Sequence, residues 1–324
     1  MPAQLICVSH GPALTNPHPV PEEHDEIIES YAARAASLCE FDPELLIVFG
    51  PDHFTNIHFG SVPPFMIGFA AEAVDDYGGF PGSFSVPRDL ANECFLALRE
   101  QGFDIALSQY LIVDHGFSQP VHLLAGGLDR FAVLPIFINT TCWPPSSFRR
   151  IRHLGEAIGR FASKLGMRIS FLGSGGLSHH PVNIFPQRLE DASDAVREYL
   201  LFGGRRGGMN YIDWIRYLGE QTERGGNLVA RGERTAEHCR LNPEWDRRFL
   251  NLMVAGDYSV FDSWTPEAVV REAGIAAIEV HQWIAAAAAA QVVGTDRAII
   301  DFYAPVVEYR LSVGVLHADP VAKA

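Results

Sequence analysis

Four apolar, strand-like runs in this chain end in histidine. QLICVSH delivers His10, IVFGPDHF delivers His53 behind Asp52, YLIVDHGF delivers His115 behind Asp114, and ISFLGSGGLSHH delivers His179 and His180. A histidine just past one strand is most often a loop residue or a hydrogen-bonded core residue. Their recurrence says more, because the carboxyl ends of parallel strands lie along one edge of an α/β sheet, where ligand sites form. Imidazole is the commonest metal-binding side chain and the one that titrates nearest neutral pH. The pattern points to a metal site, an acid–base site, or both.

No HExxH is present, so a metal would be held by histidines from separate strands and would still need an anionic partner. Glu279, in AGIAAIEVHQWIAAA, places a carboxylate in an apolar run. It is either an outward-facing residue on one stripe of a helix or a metal ligand. Two histidines and one carboxylate on one face of a metal leave open positions, the arrangement that suits Fe(II) oxygen chemistry. Gly173-Ser174-Gly175-Gly176 lacks the Gly-Lys-Ser/Thr of a phosphate loop and the GxGxxG spacing, so it reads better as a tight turn that aims His179. Ser178 beside His179 invites a hydrolase reading, but no GxSxG elbow surrounds it.

These residues need a frame to bring them together. Strands are expected over residues 4–9, 44–49, 106–113, 132–138 and 168–172, and helices over 21–38, 88–101, 147–165 and 272–292. EEHDEIIES puts acids in a first helical turn, which suits the positive helix end. The alternation of strand and helix predicts a layered α/β/α sandwich around a mostly parallel or mixed sheet. Six consecutive alanines near residue 287 are strong helix formers and permit close packing. Glycine pairs at 203–204, 207–208 and 225–226 interrupt the rhythm, and the polar segment 203–240 reads as an excursion from a single domain spanning 1–324.

Composition narrows the function. At 48% hydrophobic and 20% charged, the 324 residues suit a globular domain with a large core. A net charge of −14 and the absence of any basic run argue against nucleic-acid binding. No apolar stretch is expected to reach the ~18 residues of a membrane span, and the N-terminus runs straight into a strand without a leader-like segment. Five widely spaced cysteines and no CxxC fit reduced thiols. A cytoplasmic protein is expected.

The motifs SHGP (9–12), FGPDHF (49–54), VDHGFSQP (113–120), LPIFIN (134–139), LGEAIGRF (154–161) and FLGSGGLSHH (171–180) resemble those of the class III extradiol ring-cleavage dioxygenases. The resemblance is strong to about residue 181, weak over 185–240, and returns at LNPEWD (241–246) and AGIAAIEVHQWIAA (273–286). It implies a mononuclear non-haem Fe(II) held by His10, His53 and Glu279. It also implies His115 as proton donor, His179 as proton acceptor, and Asp114 as an acid beside the donor. The implied substrates are O2 and a catechol, with a 3-substituted ring such as 2,3-dihydroxyphenylpropionate expected, and the implied assembly is a homo-oligomer. His180 departs from the pattern, which has glutamine there. The rival classes are a zinc-dependent hydrolase, which has less need of two further histidines, and a binding protein on the same scaffold, which has no need of the metal-binding set. An anionic substrate would also need a local cation or N–H donors to offset the overall charge.

Overall fold

The apolar runs form strands that are covered on both faces. The structure, a computed structural model, describes residues 2–181, 184–186 and 188–321. In LLIVF, Leu45, Ile47 and Phe49 enter one apolar core, and Leu46 and Val48 enter another on the opposite face. Successive strand side chains point to opposite sides, so a strand buried on both reads as continuous apolar sequence.

The strands are β1 (Ala3–Val8), β2 (Leu45–Gly50), β3 (Phe65–Gly68), β4 (Ala71–Ala73), β5 (Gly82–Ser83), β6 (Ala106–Ser108), β7 (Leu111–Val113), β8 (Val133–Ile138), β9 (Ile169–Ser174), β10 (Ile299–Val306) and β11 (Leu311–Ala318). Eight of them form one mixed sheet in the order β10-β11-β1-β9-β2-β8-β3-β6. Its centre, β1, β9, β2 and β8, is parallel throughout, and antiparallel pairings to β11 and β3 flank it. β5, β4 and β7 form a second, small sheet.

The helices are α1 (Pro12–Thr15), α2 (His24–Phe41), α3 (Arg88–Glu100), α4 (His115–Ala125), α5 (Phe148–Ala162), α6 (Asp194–Phe202), α7 (Tyr211–Ala230), α8 (Pro243–Ala255), α9 (Pro266–Ala273) and α10 (Val280–Val293). α3, α5, α8 and α10 cover one face of the large sheet, and α2 and α4 cover the other. The architecture is the expected layered α/β/α fold. The alanine run lies wholly inside it, with Ala285 to Ala290 buried. A Cβ on Gly155 of α5 would lie 2.2 Å from the Ala285 carbonyl oxygen, and one on Gly159 would lie 2.6 Å from that of Ala289. Small residues where α5 and α10 face each other thus let the two helices pack backbone to backbone.

Three expectations are corrected. The strand expected over 106–113 is two strands in two sheets, β6 and β7. β3 and β6 pair in the large sheet, and after a shared bend their continuations β4 and β7 pair in the small one. Gly68 sits at the bend, where a Cβ would come within 2.9 Å of the Leu111 Cβ. The helix expected over 272–292 is also broken. α9 ends at Gly274, in the left-handed region at φ 97°, and a 3₁₀ turn over Ile275–Glu279 precedes α10. Lastly, Ile275–Val293 is 19 residues with a mean hydropathy of 1.2, long and apolar enough to cross a membrane by those measures. It is 89% buried within the protein, so its apolarity belongs to the core.

The polar segment 203–240 contains the whole of a 20-residue helix, α7, opened by a capping box between Asn210 and Asp213. Its Trp214 is buried with Phe54, Tyr199 and Leu218 in a third apolar cluster. That cluster covers the loop that follows β2.

Candidate active site

The sheet topology decides what meets at its carboxyl edge. β1 and β2 flank β9, so the turns after them carry His10 and His53 to either side of Gly175-Gly176. Gly175 is the point of closest approach to Glu279: a Cβ there would lie 2.4 Å from the Glu279 carbonyl oxygen. The Gly176 N–H donates to Glu279 Oε2 at 2.8 Å. The glycine-rich turn therefore admits the 3₁₀ turn, which points Glu279 inward, where it is 2% exposed.

Three donor groups converge. His10 Nε2 lies 3.5 Å from His53 Nε2 and 3.6 Å from Glu279 Oε2, and His53 Nε2 lies 3.3 Å from Glu279 Oε1. The other ring nitrogens are already engaged. Ser174 Oγ donates to the Gly116 carbonyl at 2.6 Å, so toward His10 Nδ1, 2.8 Å away, it can only accept. His10 thus carries its proton on Nδ1 and leaves Nε2 bare. Asp114 takes the His53 backbone N–H at 2.5 Å and faces Nδ1 at 3.2 Å. Burial drives His10 down to about 3, against the pull of Glu279. Burial also opposes charge on His53, yet Asp114 and then Glu279 outweigh it and raise His53 well above its ordinary value. For Glu279, burial is outweighed by His10 and His53, and its carboxyl falls to about 2. A neutral imidazole, a carboxylate and a ring held toward positive charge share one point. A first-row divalent metal sits roughly 2.0–2.2 Å from N and O donors, so donors on one side of it stand about as far apart as these. His10, His53 and Glu279 could hold such an ion, and their Nδ1 partners are of the kind that fix metal-binding imidazoles.

His115 lies close enough to His10 and His53 to be considered with them. Its ring, however, stacks on His53 at 4.3 Å with planes 12° apart. Imidazole lone pairs lie in the ring plane, so stacked rings aim theirs side by side and not at one point. His10 meets His53 at 76°. His115 Nδ1 is bound to Asp76 Oδ2 at 2.5 Å, and its backbone N–H donates to the same oxygen at 3.1 Å. His179 donates from Nδ1 to the Leu177 carbonyl at 2.8 Å, which leaves Nε2 a lone-pair acceptor. A Cβ on Gly176 would strike this ring at 2.5 Å. His10, His53, His115, His179 and Glu279 all line one cavity.

A family model described as the catalytic LigB subunit of aromatic ring-opening dioxygenase matches residues 4–306. The chain belongs to this family. It is similar to a 2,3-dihydroxyphenylpropionate/2,3-dihydroxicinnamic acid 1,2-dioxygenase of Paraburkholderia xenovorans, 40% identical over 323 residues, covering 100% of this chain and 99% of that protein. Proteins of the same name from Cupriavidus necator and Cupriavidus pinatubonensis are each 38% identical, covering 99% of this chain and 100% of theirs. The chain is an extradiol dioxygenase, with the fold of that family.

In this dioxygenase the acid beside His115 in sequence does not serve His115. Asp114 holds His53 and caps α4 through the Gly116 N–H at 2.9 Å, while the residue on His115 is Asp76. Sequence reasoning missed Asp76, although AEAVDD is itself a short apolar run that ends in acids. Asp52 faces the loop after β2, where Thr55, Asn56 and Ile57 donate to it. Ser178 bonds to Asp246 and Ser312. His180 accepts from the Ile275 N–H at 3.1 Å and so braces the 3₁₀ turn behind Glu279. Burial and the charge of Arg240 lower it to about 4. α7 and α6 also reach the site: Trp214 Nε1 of α7 donates to the His53 carbonyl at 3.3 Å, and Tyr199 of α6 to that of Phe54 at 3.0 Å. These bonds hold Phe54 in the left-handed region, at φ 65°.

Proposed function

We propose that this dioxygenase holds Fe(II) between His10, His53 and Glu279 and cleaves a catechol beside its two hydroxyls. The preferred substrate is a 3-substituted catechol such as 2,3-dihydroxyphenylpropionate. What carries this reading is the convergence of two Nε2 atoms and a carboxylate within 3.3–3.6 Å, with both Nδ1 atoms occupied elsewhere. The full-length relatives bear that substrate in their names.

Bound there, Fe(II) would supply the redox link between a chelated catechol and O2. His179, with Nδ1 fixed on a carbonyl, accepts a catechol hydroxyl proton at Nε2. His115, with Nδ1 fixed on Asp76, presents Nε2 to the cavity as the donor that protonates the oxygen departing as the ring opens. Phe185 and Leu218 line the same cavity and help exclude water.

The test is anaerobic. Metal-stripped protein is reloaded with Fe(II) or Zn(II), and catechol is added before and after O2. A yellow ring-opened product that needs both Fe(II) and O2 is expected, and equal turnover with Zn(II) would overturn the reading. Glu279→Ala should lose the metal. His115→Gln and His179→Gln should keep it and lose turnover by ~10²-fold or more. Only the His179 variant should bind catechol weakly at neutral pH and recover as pH rises.

A further inference from the structure

Arg234 and Arg310 line the same cavity as the three donor groups. Two other partly buried or surface arginines hold carboxylates closely: Arg152 pairs with Asp262 at 2.6 Å, and Arg248 with Glu272 at 2.6 Å. Among the described residues neither Arg234 nor Arg310 has an ion pair, and the Arg310 guanidinium donates one hydrogen bond, to the Glu308 carbonyl at 3.3 Å. Two neighbouring cations without a counter-charge are unexpected in a chain of net charge −14.

Their placement is built. Arg310 precedes Leu311, which bridges to His179 and whose Cδ2 lies 2.9 Å from where a Cβ on Gly11, next to His10, would sit. Arg310 occupies the left-handed region at φ 59°, in a turn closed by its N–H to Val307 O at 2.9 Å. Glycine would be the comfortable residue there, so the chain carries a strained conformation together with a long cationic side chain. Arg234 follows α7, in a turn where its N–H donates to Leu228 O at 3.2 Å. The two side chains meet over Gly225. A Cβ on that residue would lie 3.1 Å from Arg310 Cδ, 3.2 Å from Arg310 Nε and 3.2 Å from Arg234 Nη1. Glycine is disfavoured inside a helix, and here its bare backbone makes room for both arginines. Burial holds the Arg310 guanidinium below its ordinary value, and the charge of Arg234 pushes the same way.

We propose that Arg234 and Arg310 form the subsite that takes the side-chain carboxylate of the catechol while the ring hydroxyls lie over His10, His53 and Glu279. The planar fork of arginine suits a carboxylate, which it can grip through two parallel hydrogen bonds. This inference rests on the reading of the site as a catechol site and adds the group that reads the ring substituent.

The test compares 2,3-dihydroxyphenylpropionate with 3-propylcatechol, which is similar in length and uncharged. Both are measured on the parent protein, Arg234→Gln, Arg310→Gln and Arg310→Lys, by kcat/KM and by anaerobic calorimetric binding. Each Gln substitution should lower the ratio of acid to propyl compound by roughly 10- to 100-fold, mainly through KM. Arg310→Lys should recover part of the loss. An unmoved ratio, or equal losses on both compounds, overturns the proposal. If the catechol reading itself fails, the iron-loaded parent cleaves neither compound, and the anaerobic binding ratio still decides whether the arginines take the carboxylate.

Discussion

Two aspartates each clasp a histidine by its backbone N–H and its Nδ1: Asp114 on His53 and Asp76 on His115. A carboxylate in this position fixes both the tautomer and the ring plane. The two clasps serve different rings, so their removal should read out differently. Asp114→Asn should weaken metal binding about 10- to 100-fold, the usual effect of disturbing a metal-bound histidine's partner. Asp76→Asn should leave metal content intact and lower kcat by a similar factor. Metal analysis beside steady-state kinetics on both variants decides it, and metal loss from the Asp76 variant would move His115 into the metal-holding set. The stacking of His115 on His53 argues against that outcome. His10, His53, His115, His179 and Glu279 stood out in the sequence because each follows an apolar run or interrupts one. Asp76 was not, because its run is only three residues of a small sheet. The role of Asp114 was not legible either, since adjacency to His115 in sequence says nothing about which ring a carboxylate reaches across space.

Among the elements, the contact of α5 with α10 sets the backbone position of the 3₁₀ turn and hence of Glu279. Gly155→Ala tests how tight it is. Helix propensity favours alanine by about 1 kcal/mol, while a Cβ placed 2.2 Å from a backbone oxygen forces a shift that costs about 1–3 kcal/mol. Destabilisation should win, and thermal unfolding should come at a lower temperature than in the parent. A raised midpoint would mean that the helices part freely at this point. The central parallel strands could be read directly, since burial on both faces leaves continuous apolar sequence. The division of 106–113 between two sheets could not, because both pieces are apolar and only the Gly68 bend in the partner strand marks the change. A 3₁₀ turn and an α-helix share their spacing over a few residues, so 275–279 read as part of one long helix. The β10–β11 hairpin was not among the expected strands at all.

For the molecule as a whole, His281 is a built-in acid weakness. It is fully buried, and neither ring nitrogen has a hydrogen-bond partner among the described residues. Its ring lies edge-on to Phe148 at 4.4 Å. Burial lowers it from 6.5 to about 3. The folded state therefore refuses a proton that the unfolded state accepts below pH 6.5. The stability is fully present above that value and is lost as pH falls toward 3, at about 1.4 kcal/mol per pH unit. His281→Leu should flatten this limb, so that going from pH 7 to pH 5 costs the variant about 2 kcal/mol less than the parent. Urea titrations at the two pH values measure it, and parallel losses in both proteins would show that His281 already escapes to solvent.

β1 carries His10 out of the sheet, yet it is paired on one side with the far end of the chain, Val8 opposite Val315, and Ser9 donates its N–H to Gly314 O at 3.0 Å. β1 must therefore wait for β11, which follows it by roughly 300 residues. A chain stopped before residue 311 would contain every histidine and carboxylate of the site and should still bind no metal, a point that metal analysis of the shortened protein would settle. On that reading an ion enters only after β1 and β11 have paired, so it cannot template the fold that captures it.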